Sequence, residues 1–201
     1  MDDSAPGQGR EPGIEVQQRI EQRAVGIASG RMHHQPGRLV DDDQICILEH
    51  HVQGNILGNR HRLLTGHDDD LDPLATLLNK QETLKILHAP PEDLDVLLYT
   101  AGAVPDPLFD TQIACAMLGQ PLQMGYHTTV EWLLGIIIDK GQTRSNWCQR
   151  PLRPAQLKYA ALDVCLLPIM QRQLQTKLRD LGRESWLEED CARLLTRART
   201  P

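Results

Sequence analysis

The first 70 residues contain no phenylalanine, tryptophan, tyrosine or lysine. Each aromatic ring buries roughly 150–250 Å² in a core, so this segment lacks the usual material for one. No run approaches the roughly 18 consecutive apolar residues of a membrane span. The start, Met1-Asp2-Asp3-Ser4, has no basic or apolar lead, and no signal peptide is visible. We therefore expect a cytoplasmic protein that does not enter a membrane. No Cys-x-x-Cys occurs. The five cysteines (Cys46, Cys115, Cys148, Cys165, Cys191) are odd in number and scattered, which fits free thiols in a reducing compartment. Net positive charge is lacking too: the chain carries −6. That argues against a general basic coat for nucleic acid. It does not exclude an enzyme that grips nucleic acid through metal ions, which supply positive charge themselves.

What is present divides into two textures. Residues 1–70 are rich in Gly, Pro, Gln, Arg and Asp and hold six of the eight histidines. Only Ile14 to Ile27, as a helix, and Gln44 to Leu48, as a strand, look ordered. From Leu71 the pattern becomes regular. Asp72-Pro73 reads as an N-cap followed by proline at the first helical position. Leu71, Leu74, Leu77 and Leu78 share one helical face. Leu84 to His88 is a short strand. Pro90-Pro91 opens a helix with acids in its first turns, where the helix dipole favours them. Leu108 to Asp110 is a second strand. Helices follow over Thr111–Leu118 and Thr128–Leu134, then a polar loop from Asp139 to Pro154. A long helix runs from Pro154 to about Leu181, kinked at Pro168, and a last one covers Trp186 to Leu195. Strands alternating with helices indicate an α/β fold, though two strands are too few for a whole sheet.

Two acids and a phenol carry the candidate chemistry. Asp93 follows a strand directly, near the start of a helix, at the mouth where open α/β sheets bind ligands. Taken alone, an ordinary helix N-terminal acid explains it better. Tyr159 and Asp163 are four apart and share a helical face. Their apolar neighbours set that helix against a core, where a carboxylate must be paired or metal-bound. A simple Tyr–Asp hydrogen bond at a rim explains the pair equally well. His33-His34 and His50-His51 lack paired zinc-ligand spacing and read as solvated histidines.

The chain resembles bacterial ribonuclease D over about Leu71 to Leu195. The resemblance rests on His88-Ala89, Glu92-Asp93-Leu94, Asp110-Thr111-Gln112, Gly125-Tyr126, Asp139-Lys140, Ser145-Asn146-Trp147, Arg150-Pro151-Leu152 and Tyr159-Ala160-Ala161-Leu162-Asp163-Val164. It implies a ribonuclease H-like exonuclease fold and a 3′–5′ exoribonuclease acting on single-stranded RNA 3′ ends. Two divalent ions, Mg²⁺ or Mn²⁺, would sit among four carboxylates. By position, Asp93 and Asp163 match two metal ligands, and Tyr159 matches the tyrosine that orients or deprotonates the attacking water. His88 and Gln112 are either nucleic-acid contacts or packing residues. Lys140, Arg144 and Arg150 are either phosphate contacts or solvated loop cations. Trp147 either stacks on a base or plugs its loop onto the core. Asn146 stands where the family usually has Asp.

The family's first motif, a strand ending in Asp-Thr-Glu, is missing from residues 1–70. Glu49 follows Ile45-Cys46-Ile47-Leu48, but its partner Asp is absent. The sheet is expected to be incomplete at its N-terminal strands. Residues 1–70 are expected to be largely disordered or foreign to the family, from a misread frame, a wrong start or a rearrangement; a divergent genuine extension is the alternative. Two functions stay open: the exoribonuclease, and a catalytically inactive remnant with weak nucleic-acid binding. No protein partner is identifiable.

Overall fold

The computed structural model describes Gln44–Cys46, residues 71–139 and residues 141–200. The helix expected over Ile14 to Ile27 lies outside the described residues. Three parallel strands form a sheet in the order β1 (Gln44–Cys46), β2 (Leu84–Leu87), β3 (Leu108–Asp110). Ile45 lies opposite Lys85, and Ile86 opposite Phe109. Because all three run the same way, their carboxyl ends open on one edge of the sheet, the edge where parallel sheets take ligands.

Helix α1 (Asp72–Asn79) precedes β2, and α2 (Pro91–Ala101) crosses from β2 to β3. The N-cap of α1 is Leu71 rather than Asp72, and no side chain caps it. Asp72 is instead the first helical residue, an acid at the positive end of the helix dipole. Helix α2 ends on Gly102, whose φ of +65° is the left-handed conformation that favours glycine. Helices α3 (Thr111–Met117) and α4 (Tyr126–Leu134) follow β3. Helix α4 starts two residues earlier than its apolar spacing suggests, because Gly125 takes the extended N-cap conformation.

The long helix expected from Pro154 is two helices, α5 (Pro154–Cys165) and α6 (Leu167–Asp180), with the break just before Pro168. Proline has no N–H to give the preceding turn, so it fits only the first turn of a new helix. Leu167, Met170, Leu174 and Leu178 of α6 are completely buried. They pack with Ile86 and Leu87 of the sheet and with Ala114 and Cys115 of α3. Helix α7 (Glu184–Arg199) closes the core with Leu187, Cys191 and Leu195. Among the described residues no helix is long and apolar enough to cross a membrane.

Lys85 is fully buried in β2. Its ammonium donates to the carbonyls of Lys80 (2.7 Å), Thr83 (2.9 Å) and Asp106. All three donors of the group thereby find acceptors. The bond to Asp106 ties the approach to β3 onto the approach to β2 and fixes how the two strand ends sit together.

Candidate active site

Asp110 ends β3 and caps α3. Its Oδ1 accepts from the Gln112 backbone N–H (2.7 Å) and from the Ala89 N–H (3.1 Å) in the turn after β2. Ala89 has φ +54°, a conformation uncommon for a residue with a Cβ. One buried carboxylate therefore holds both turns at the sheet edge. Burial pushes its pKa up to about 6, opposed by the backbone N–H groups of Ala89, Gln112 and Ile113.

His88 leaves β2 fully buried. Its Nε2 lies 2.9 Å from the Met124 carbonyl and its Nδ1 2.8 Å from the Thr111 hydroxyl. A carbonyl only accepts, so Nε2 carries the proton. The Gln112 amide donates to the same carbonyl at 3.1 Å. His88 and Gln112 thus clasp the loop that delivers Tyr126 and His127. The Tyr126 hydroxyl donates to the Leu162 carbonyl at 2.9 Å, fastening α4 to α5.

Helix α5 presents Tyr159 and Asp163 one turn apart, both buried. The Tyr159 hydroxyl is 3.1 Å from the Thr143 hydroxyl, and the Tyr159 side chain is also a hydrogen-bond partner of Asp163. Burial drives the Asp163 carboxyl up to about 7, only partly offset by that bond. Its Oδ1 is buried with no hydrogen-bond partner among the described residues. A lone buried carboxylate oxygen is costly.

The loop before α5 is seated by Gln156, which is fully buried. Its amide donates to the Ser145 hydroxyl and the Asn146 carbonyl, both at 3.0 Å, and its Oε1 accepts from the Arg153 N–H. The Trp147 indole N–H donates to the Gln142 carbonyl at 3.2 Å, and its ring lies 5.9 Å from that of Tyr159. Trp147 therefore plugs the loop against the site. Asn146 accepts from the Cys148 N–H at 3.1 Å, so the residue that replaces the family's Asp still makes a local turn bond.

These elements enclose a cavity of about 290 Å³ at the strand ends, walled among others by His88, Gln112, His127, Thr143, Tyr159 and Asp163. Asp93 stands in the first turn of α2, half-buried, and is not among the wall residues. Arg144 and Arg150 are exposed on the loop, and Arg150 donates to the carbonyls of Trp147 and Gln149. Lys140 lies outside the described residues. Asp110, Thr143 and His127 escaped the sequence reading as site residues. A polar residue ending an apolar strand before a helix is a signal for Asp110; His127 and Thr143 have none.

For a divalent cation the fit is partial. Asp163 offers a buried, unsatisfied carboxylate oxygen that could ligate one. Among the described residues no group of three or more His, Cys, Asp and Glu side chains converges as a metal cage.

Residues 33–179 match the model of the 3′–5′ exonuclease family. Ribonuclease D of Zymomonas mobilis is 44% identical over 126 residues, 62% of this chain and 32% of that protein. Ribonuclease D of Pseudomonas paraeruginosa is 45% identical over 126 residues, 63% of this chain and 33% of its own length. The chain spans about a third of the length of the curated relatives it matches. Among solved structures, RNase D of Escherichia coli, an exoribonuclease involved in structured RNA processing, aligns with a TM-score of 0.64 and 34% identity, over 66% of this chain and 36% of that one. NrnC of Brucella melitensis aligns with a TM-score of 0.58 and 34% identity, over 62% and 61% of the two chains. NrnC has also been solved with bound Mg²⁺ and with pGG. The ribonuclease H-like architecture expected from the motifs is thus the observed one, and with most of its length inside the family match the chain belongs to the 3′–5′ exonuclease family.

Proposed function

We propose that the protein is a 3′–5′ exoribonuclease of the ribonuclease D type, hydrolysing single-stranded RNA from its 3′ end with Mg²⁺ or Mn²⁺. The observation that carries this reading is the Asp163 carboxylate, buried beside the Tyr159 hydroxyl with an unsatisfied oxygen, in a cavity at the carboxyl ends of parallel strands. Asp163 would hold the cation, joined by Asp93 as the resemblance implies. A divalent ion in such a site supplies positive charge for the scissile phosphate and acidifies a bound water. Tyr159 orients that water through its hydroxyl, which Thr143 and Asp163 hold in place. A free phenol has a pKa near 10 and removes protons poorly at neutral pH, so the role of Tyr159 is to place the water rather than to deprotonate it. Residues 71–195 carry this chemistry. Arg144 and Arg150 on the exposed loop meet the backbone phosphates, and the site works in the cytoplasm.

The test uses the 201-residue chain and a 5′-labelled oligoadenylate. The expected result is stepwise shortening from the 3′ end with Mg²⁺ or Mn²⁺ and none with EDTA. Asp163→Ala is expected to slow it about a thousandfold, the loss of several kcal/mol of metal-dependent stabilisation at about 1.4 kcal/mol per tenfold. Absence of trimming with either ion would favour the inactive remnant instead.

A further inference from the structure

The protein has only seven aromatic residues, yet three of them and two histidines form one unbroken run along the cavity. His88 meets Tyr126 edge-on at 5.7 Å, and Tyr126 meets His127 edge-on at 5.8 Å. His127 lies beside Tyr159, 5.9 Å between centroids and tilted by 33°, and Trp147 lies 5.9 Å from Tyr159 on the loop side. The Tyr159 ring is therefore flanked by two rings delivered from outside its own helix, one from α4 and one from the loop before α5. The α4 flank is firmly based. Tyr126 is buried and bonded to the Leu162 carbonyl, and the loop that leads into it is clasped by His88 at the Met124 carbonyl.

Where a tyrosine hydroxyl points is set by its two side-chain torsions, and packed rings restrict both. An error of about 1 Å in the placement of a reacting group costs on the order of a hundredfold in rate. Resting on the exonuclease reading, we propose that His127 is a positioning residue for Tyr159, acting through ring packing to hold the phenol toward Asp163 and Thr143. His127 does not exchange a proton with the substrate in this role. A phenyl ring at the same position therefore serves as well as an imidazole, and a methyl group does not.

His127→Ala and His127→Phe separate ring packing from imidazole chemistry. The first readout needs no activity: NMR contacts between the Tyr159 and Trp147 rings in the whole chain, assigned with Tyr159→Phe. They are expected to persist in His127→Phe and to vanish in His127→Ala, while both variants keep the wild-type circular dichroism. The second readout is trimming of oligoadenylate. In His127→Ala, kcat is expected to fall about tenfold with KM within about twofold, and His127→Phe is expected to restore it. Retained ring contacts in His127→Ala would overturn the proposal. So would an unchanged kcat, or His127→Phe being as slow as His127→Ala. If the wild-type chain does not trim, the exonuclease reading fails by itself, and the ring contacts alone decide whether His127 positions Tyr159.

Discussion

Asp110 shows how one side chain serves two segments. Its partners Ala89 and Gln112 belong to turns that meet only in the fold. The carboxyl is nearly inaccessible, and burial raises its pKa from the ordinary 3.8 to about 6. A carboxyl raised on folding favours the native state when protonated. Its contribution is complete below about pH 4 and is lost as pH rises through 6. Two pKa units correspond to about 3 kcal/mol. Asp110→Asn keeps an acceptor for both N–H groups but does not titrate. We expect wild type to lose up to about 3 kcal/mol relative to Asp110→Asn between pH 4 and 7. Urea midpoints at several pH values measure this, and a constant difference would show that Asp110 keeps an ordinary pKa. The sequence displayed Asp110 as the end of a strand but not its second partner, which lies 21 residues away. It displayed Tyr159 and Asp163 as a pair because a helix brings residues four apart together without any help from the rest of the chain. His127 was invisible, since its neighbour Tyr159 comes from a helix that starts 20 residues after α4 begins to close.

At the level of elements, α5 and α6 divide two tasks that one straight helix performs badly. The break before Pro168 lets α6 bury a full apolar stripe while α5 turns polar groups to the cavity. The proline made a bend readable there, but as a kink in one helix rather than as the start of a second. The seating of the loop on α5 was not, because Gln156 looks like any surface glutamine until its three partners are known. Gln156→Leu keeps the volume and abandons the Asn146 carbonyl, the Ser145 hydroxyl and the Arg153 N–H. Leaving such groups unpaired costs about 1–3 kcal/mol. The expected outcome is that loss in urea unfolding, together with faster trypsin cleavage at Arg144 and Arg150. Unchanged cleavage rates would mean that Trp147 alone seats the loop.

For the molecule as a whole, charge sets a condition on its substrate. A chain with net charge −6 repels a polyanion, and the exposed arginines near the site are few. Binding is then expected to depend on divalent cations more than on the protein's own cations. Fluorescence anisotropy of labelled oligoadenylate mixed with the protein should stay at the free value in EDTA and rise with added Mg²⁺, and the rise should be lost in the Asp163→Ala control. Equal binding in EDTA would assign recognition to the arginines. The α/β class and the family were legible in the motifs from Leu71 onward. The strand β1 was legible only as a short apolar run, since its pairing with β2 depends on residues 40 positions away.

Trp147 gives the site an optical consequence. Its indole ring lies 5.9 Å from that of Tyr159 and its N–H donates to the Gln142 carbonyl, so its emission senses both the seating of the loop and the surroundings of Tyr159. With Trp132 and Trp186 replaced by phenylalanine, the remaining fluorophore turns the protein into its own gauge. Filling of the cavity registers as a spectral shift in real time, with no label on protein or ligand.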